Sequence, residues 1–217
     1  MTKNDRTILI VTTFVCLLPL VLNAAVYTQL PEQVAIHWGV SGEPNSWIPK
    51  EYIWVLPAGM ALMNVVMQLV FSLDPRRTKV SGTFTRILVW IMPVITMILY
   101  PVTIFYALGV NIPIALVALL IVGMLILVIG NYLPKTRRNY FVGVRVPWTL
   151  KSEENWNKTH RIAGRLWTAG GLLLIIIAFA MQGVPALMFT LTMVLVTLMT
   201  VIPIIYSYRL YKSEVQE

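Results

Sequence analysis

The chain has 217 residues, of which 58% are apolar and 12% charged, with a net charge of +8. A soluble domain of this size has no interior large enough to hide so much apolar surface, so the composition excludes that class and points to an integral membrane protein. The lone cysteine, Cys16, excludes a disulfide framework, a thiol pair and a cysteine metal site.

Crossing about 30 Å of hydrocarbon takes roughly 20 apolar residues at helical rise. Runs of that kind predict six spanning helices, at Thr7–Tyr27, Tyr52–Leu73, Ile87–Leu108, Ile112–Leu133, Ile162–Met181 and Ala186–Tyr208. The first run follows Lys3 and Arg6 as a signal peptide would, but its apolar stretch is too long for a typical h-region and Ala24–Ala25 make a poor cleavage site.

Charge sets the expected orientation. The even-numbered loops hold Arg76, Arg77, Lys79, Arg86 and every basic residue from Lys135 to Arg165, and the tail holds Arg209 and Lys212. The first loop sets Glu32, Glu43 and Glu51 against Lys50, and the third and fifth connections carry no charge. By the positive-inside rule both termini are expected in the cytoplasm. Every Lys and Arg except Lys50 then faces anionic headgroups, which accounts for the basicity without direct nucleic acid binding. The expected fold class is an all-α membrane protein: a six-transmembrane-helix bundle with N and C termini cytoplasmic, one structured extracellular loop and one amphipathic cytoplasmic loop helix.

In the external loop 28–51, Gln33, Ala35 and His37 alternate with Val34, Ile36 and Trp38, and Gly39, Gly42 and Pro44 follow. Period-two alternation followed by turn formers predicts an extended segment and then turns. Trp38 and Trp47 suit the headgroup level, where an indole keeps its ring apolar and its N–H wet. His37 reads first as a residue hydrogen-bonded within its own loop; contact with an external ligand, or a response to acidity, is the sharper reading.

Within the spans, Pro57, Pro93 and Pro101 each remove a backbone donor and invite kinks. Pro113 and Pro185 sit where helices start. Asn64 and Gln68, four apart on one face of the second span, predict a polar stripe whose first reading is interhelical packing and whose second is a transport path. No acidic or basic residue lies well inside a span, and no internal repeat is visible, which weighs against an ion-coupled carrier.

The loop after the fourth span is the polar centre of the chain. Lys135–Val146 is basic and then β-leaning, with Tyr140, Val142, Val144 and Val146 in alternation around Gly143. From Ser152 the pattern turns helical: Ser152 suits an N-cap, and Glu153 and Glu154 suit the positive end of the dipole. Trp156, His160, Ala163, Gly164 and Trp167 fall on one face, Lys158, Arg161 and Arg165 on the other. Such a helix docks its aromatic and small-residue face and offers the cationic one to phosphates or a protein. His160 beside Arg161 has no Ser, Cys or carboxylate at nucleophile spacing, so no catalytic residues are expected. His37 and His160 are predicted on opposite membrane faces and cannot share an ion, and neither a metal nor another cofactor is implied.

Two stretches resemble the SdpI family of bacterial membrane proteins, whose namesake is an immunity protein against a secreted sporulation-delay toxin. One is LPEQVAIHWGVSGEPNSW, Leu30 to Trp47, similar to the first-loop domain of many members. The other is carried by Asn131, Pro134, Lys135, Asn139, Gly143, Arg145, Trp148, Thr149, Trp156, His160, Arg161 and Gly164, which match the family's signature. The resemblance implies an N-terminal half, residues 1–108, with the external loop 28–51, and an SdpI-like C-terminal half, residues 109–217, with the signature loop 131–167. It also implies a multi-pass protein of the bacterial plasma membrane that contacts lipids and protects its cell from a secreted peptide toxin. The same likeness implies a signal: toxin-bound protein recruits an ArsR-type repressor to the cytoplasmic face. His37, Trp38, Glu43 and Trp47 are then the toxin-facing candidates, and the signature residues the partner-binding ones. Substituting Arg145, Trp156, His160 or Arg161 is expected to impair repressor capture more than membrane insertion. The alternative reading is a transporter or lipid- or small-molecule-binding membrane protein built on the Asn64 and Gln68 stripe. A lipid-surface enzyme using Glu153, His160 and Arg161 ranks third.

Overall fold

Thr2 opens the first helix: its hydroxyl accepts from the Asp5 amide at 3.2 Å while its own amide donates to the Asp5 carboxylate at 2.7 Å, satisfying two donors that a helix start leaves open. The computed structural model describes residues 2–73 and 82–216. Arg76, Arg77 and Lys79, counted above among the basic loops, lie outside the described residues. The elements are α1 Lys3–Leu17, α2 Pro19–Val26, β1 Gln33–Trp38, β2 Pro44–Pro49, α3 Val55–Leu73, α4 Gly82–Ala107, α5 Ile114–Tyr132, α6 Pro147–Lys151, α7 Glu153–Ala180 and α8 Pro185–Gln216. Among the described residues, six helical segments are long and apolar enough to cross a membrane.

Three expectations change. The first span is one segment, Lys3–Gln29, whose helical hydrogen bonding is interrupted at Leu18, itself in the helical conformation, because Pro19 has no amide to donate and its ring crowds the preceding turn. Pro57 does not kink the second span, since it lies in the first turn of α3, where its missing donor had no helical partner anyway. The fold is also not purely helical, because the loop ahead of α3 is an antiparallel β1–β2 hairpin. Pro93 and Pro101 do lie inside α4, and Pro203, not anticipated, inside α8.

By their internal contacts the residues group into two compact units, Met1–Leu73 with Thr85–Ala115, and Asp74–Phe84 with Leu116–Glu217. In the first, α1 packs on α3. The Asn64 amide nitrogen donates to the Thr12 and Thr13 hydroxyls at 3.1 and 3.0 Å, and that of Gln68 to the Thr12 hydroxyl at 2.8 Å and the Asn64 carbonyl at 2.9 Å. The polar stripe is spent on pairing two helices.

Register fixes the hairpin by placing Ala35 opposite Trp47, His37 opposite Ser46 and Trp38 opposite Pro44, with an irregularity on either side of His37. Its turn closes where the Gly39 amide donates to the Glu43 carbonyl at 2.8 Å. Beneath it Leu30, Val34, Ile53, Tyr100 and Ile104 form a buried apolar cluster, so β1 is held to the helices by its inward side chains while β2 remains open.

In the second unit α7 packs along α8, and the turn after α5 packs on α7. Glycines let α5 and α7 meet at backbone distance: a Cβ on Gly130 would sit 2.6 Å from the Thr168 amide nitrogen, and one on Gly164 would sit 2.8 Å from the Gly130 carbonyl oxygen and against the Pro134 ring. Close approach of small residues is the usual means of joining helices in lipid, where burial offers no hydrophobic gain.

Candidate functional site: a locked loop between two spanning helices

The floor of the site forms where α5 ends. Leu133, Pro134 and Lys135 make a single 3₁₀ turn, and the Pro134 ring fills the space over Gly164 that any side chain would occupy. Two of the twelve signature residues are thus halves of one contact. Next along, the Thr136 carbonyl accepts the indole N–H of Trp156 at 2.8 Å, and the Thr136 hydroxyl donates to the Leu133 carbonyl at 2.7 Å. Trp156 is fully buried, so this bond satisfies a polar atom that would otherwise be costly to enclose.

Residues 140–146 do not form the β-strand their alternation suggests. Residues 140–143 fold as bends and 144–146 lie outside any regular element, because Asn139 offers the first of these amides a nearer acceptor. Its buried side-chain oxygen accepts from Phe141 and Val142 at 2.8 Å each, and its amide nitrogen donates to the Arg137 carbonyl at 2.9 Å. Short polar side chains compete with sheet ladders in this way. Gly143 then takes φ +121°, and a Cβ there would collide with the His160 ring. A backbone conformation open to glycine alone brings the loop flat onto histidine.

His160 fastens it. The Val144 amide donates to His160 Nε2 at 3.0 Å, and His160 Nδ1 donates to the Trp156 carbonyl at 2.8 Å. That pattern assigns the neutral Nδ1–H tautomer. The ring stacks on Trp156 with centroids 3.9 Å apart and planes at 19°. Both nitrogens are engaged and the side chain is buried, so the imidazole acts as a fastener, with neither nitrogen open to take a proton from a substrate.

The far end of the loop is tied to α7 and α8. The buried Thr149 hydroxyl accepts from the Val146 amide at 3.1 Å and lies 2.7 Å from the Val144 carbonyl, closing the start of α6. Trp148 meets Tyr208 edge-on at 5.3 Å and lies over Tyr211 at 6.0 Å, anchoring α6 on α8. Ser152 caps α7, its hydroxyl accepting from the Asn155 amide at 3.1 Å. The first turns of α7 bury Trp156, His160, Ala163 and Gly164 and expose Lys158, Arg161 and Arg165; they continue into the span without a break.

Five contributors were not anticipated: Asn155 with its partners Thr159 and Ser207, Thr136, and Arg138. Asn155 is fully buried and bridges α7 to α8: its nitrogen donates to the Ser207 carbonyl at 2.9 Å, while its oxygen accepts from the Ser207 and Thr159 hydroxyls at 2.8 and 3.1 Å. The signal lay in Asn155 and Thr159, four apart like Asn64 and Gln68. Thr136 offers only a backbone acceptor, which no residue type announces. Arg138 donates to the Leu150 and Lys151 carbonyls at 3.1 and 2.7 Å, closing the C-terminal end of α6.

The signature residues therefore divide. Asn139, Thr149, Trp156, His160 and Gly164 are buried and build the loop. Asn131, Lys135, Arg145 and Arg161 are exposed around it. Lys135 lies over the Tyr132 ring at 4.6 Å, and Arg145 donates to the Tyr140 carbonyl at 2.6 Å. Among the described residues, Arg161 has no protein acceptor. What the surface offers is cationic and planar hydrogen-bond donation over a rigid base, suited to carboxylates or phosphates. Among the described residues, no three of His, Cys, Asp and Glu group to hold a metal.

Of the hairpin candidates, His37, Glu43 and Trp47 are exposed. Trp38 is half-buried and lies edge-on to Tyr106 of α4 at 5.4 Å. His37 Nδ1 donates to the Asn45 side-chain oxygen at 2.6 Å, a bond within its own loop.

Comparison with known proteins finds a likeness over the same segments. Residues 135–207 match the SdpI/YfhL protein family, a segment that runs from the turn over Gly164 to Ser207, the partner of Asn155. Residues 14–61, which enclose the hairpin, match a domain of unknown function, DUF1648. Across 218 aligned residues, 98% of each chain, 26% are identical to the protein named Immunity protein SdpI from Bacillus subtilis (strain 168). No solved structure matches the chain significantly. With six segments able to span a membrane and a match to the SdpI/YfhL protein family over the loop and the helices that hold it, the chain is a multi-pass bacterial membrane protein similar to that family.

Proposed function

We propose that this protein is a membrane immunity protein that protects its cell from a secreted peptide toxin, and that it reports the encounter by recruiting an ArsR-type repressor to its cytoplasmic face. The observation that carries the reading is likeness to an immunity protein over nearly the whole chain. In this reading both termini and the loop 131–167 are cytoplasmic, as the charge asymmetry requires. The open strand β2, with exposed Glu43 and Trp47 and the neighbouring His37, meets the toxin. Arg145 and Arg161, held at the rim of the locked loop, meet acidic groups on the repressor. Trp156 and His160 contribute from inside by fixing the rim's shape; they are positioning residues, buried beyond reach of any partner.

The test is expression in a strain killed by the cognate peptide. Survival should rise by orders of magnitude, and failure to protect against any membrane-active peptide would remove the reading. Repressor capture is scored separately, as the fraction of tagged repressor found in membranes after toxin is added. The transporter alternative loses its main support, because the Asn64 and Gln68 stripe on which it rested is hydrogen-bonded between α1 and α3.

A further inference from the structure

A groove of about 420 Å³ runs between α5 and α7, with Pro134 and Gly164 from the floor of the locked loop in its lining. Gly130 and Gly164 lie in its lining, where the two helices meet at backbone distance. Leu127, Ala169 and Leu172 form its apolar length; Asn131, Arg165 and Thr168 add its polar groups. Arg165 is exposed, and among the described residues its guanidinium has no protein acceptor. Thr168 spends its hydroxyl on the Gly164 carbonyl at 2.8 Å, leaving Arg165 and the exposed Asn131 as the available donors.

We propose that this groove is a binding site for one anionic phospholipid, its phosphate on Arg165 and Asn131 and one acyl chain laid along Leu127, Ala169 and Leu172. Charge complementarity selects the occupant. Arg165 lies on α7, one turn past Arg161 and near the start of the span expected at Ile162–Met181. A guanidinium at that depth needs an anion that itself sits at the headgroup level, and a phosphodiester accepts two parallel N–H donors from arginine. A zwitterionic lipid presents the same phosphate neutralised by its own cation and should bind less well. The groove's apolar length requires a chain, so free phosphate does not fit it. The inference is independent of toxin immunity.

The experiment uses the full-length protein, purified in detergent and doped with equal phosphatidylglycerol and phosphatidylcholine, with retained lipid counted by native mass spectrometry. Wild type should hold one phosphatidylglycerol in preference to phosphatidylcholine. Arg165→Gln should lower that retention about tenfold, the scale of losing a charge-assisted pair, and Lys212→Gln should leave it unchanged. Ala169→Phe, which fills the groove and keeps the charge, should lower it too, so the inference stays testable if the Arg165 variant does not fold. Equal retention of the two lipids, or unchanged retention in both groove variants, would overturn it. A photocrosslinker at Leu172 should label lipid; a crosslink to a second copy or another protein would assign the groove to that partner and also overturn it.

Discussion

Gly143 and His160 are a single device seen from two sides, and the contrast with another positive-φ glycine shows how much of it is contact. Gly42, at φ +83° in the hairpin turn, has nothing within 4 Å of where a Cβ would go, so Gly42→Ala should cost only backbone strain, about 1–2 kcal/mol. Gly143→Ala adds a collision with the His160 ring, which must swing off Trp156 and release the Val144 amide. It should cost about 2–4 kcal/mol, strain plus one buried unsatisfied donor. Thermal unfolding in detergent checks the difference, and equal shifts for the two alanines would mean that the ring contact contributes nothing. His160→Ala should reproduce the contact's share, about 1–3 kcal/mol, since it leaves the same amide unpaired. A loop that unfolds no earlier in His160→Ala than in wild type would refute the fastener role.

Helix pairs in the two units are joined by similar chemistry at different stakes. Asn64 and Gln68 bond to α1 through threonine hydroxyls well inside the span, where such bonds average about 0.6 kcal/mol because the separated helices find other partners. Asn64→Ala should therefore shift stability little. Asn155 makes three bonds at the head of α7, to the Ser207 carbonyl and to two hydroxyls, all three inaccessible once it is gone. Asn155→Ala should cost more, about 1–3 kcal/mol, and should loosen α8 from α7 near Ser207, read as faster proteolysis around Tyr208. Equal losses for the two alanines would show that burial at the helix head adds nothing. Much of this architecture was legible: the spans follow from hydropathy, and the burial of Trp156, His160, Ala163 and Gly164 follows from their three-and-four spacing. What misled was local competition. Alternation at 140–146 reads as strand, yet Asn139 takes the Phe141 and Val142 amides first. Proline position misled as well, since Pro57 falls one turn too early to kink α3 and Pro19 was overlooked inside a uniformly apolar run. The Trp156 bond to the Thr136 carbonyl was invisible because every residue carries that acceptor.

The proposed toxin contact and repressor capture require the hairpin and the basic loop to lie on opposite sides of the membrane, and the chain is well suited to testing this. Its single cysteine, Cys16, is fully buried in α1, so a membrane-impermeant thiol reagent finds almost no background in wild type. Ser46→Cys places a thiol on exposed β2, and Lys151→Cys places one on the exposed end of α6. Neither position carries a bond on which the hairpin or the loop is built: Ser46 pairs through its backbone, and Lys151 offers only its carbonyl to Arg138. In intact cells Ser46→Cys should be labelled and Lys151→Cys should not; after permeabilisation both should be. This follows from charge alone, because an inverted chain would leave nearly every lysine and arginine outside, against the rule that sets topology. Labelling of both in intact cells would place hairpin and loop on one face, and a reversed pattern would put the basic loop outside; either defeats repressor capture. Immunity would survive the reversed pattern only if the toxin met the basic loop, so the survival of an Arg161→Ala strain then separates the two roles. In the expected topology that variant keeps protection and loses most toxin-dependent repressor retention, whereas Trp156→Ala, which removes a fully buried side chain at about 3–5 kcal/mol, loses both.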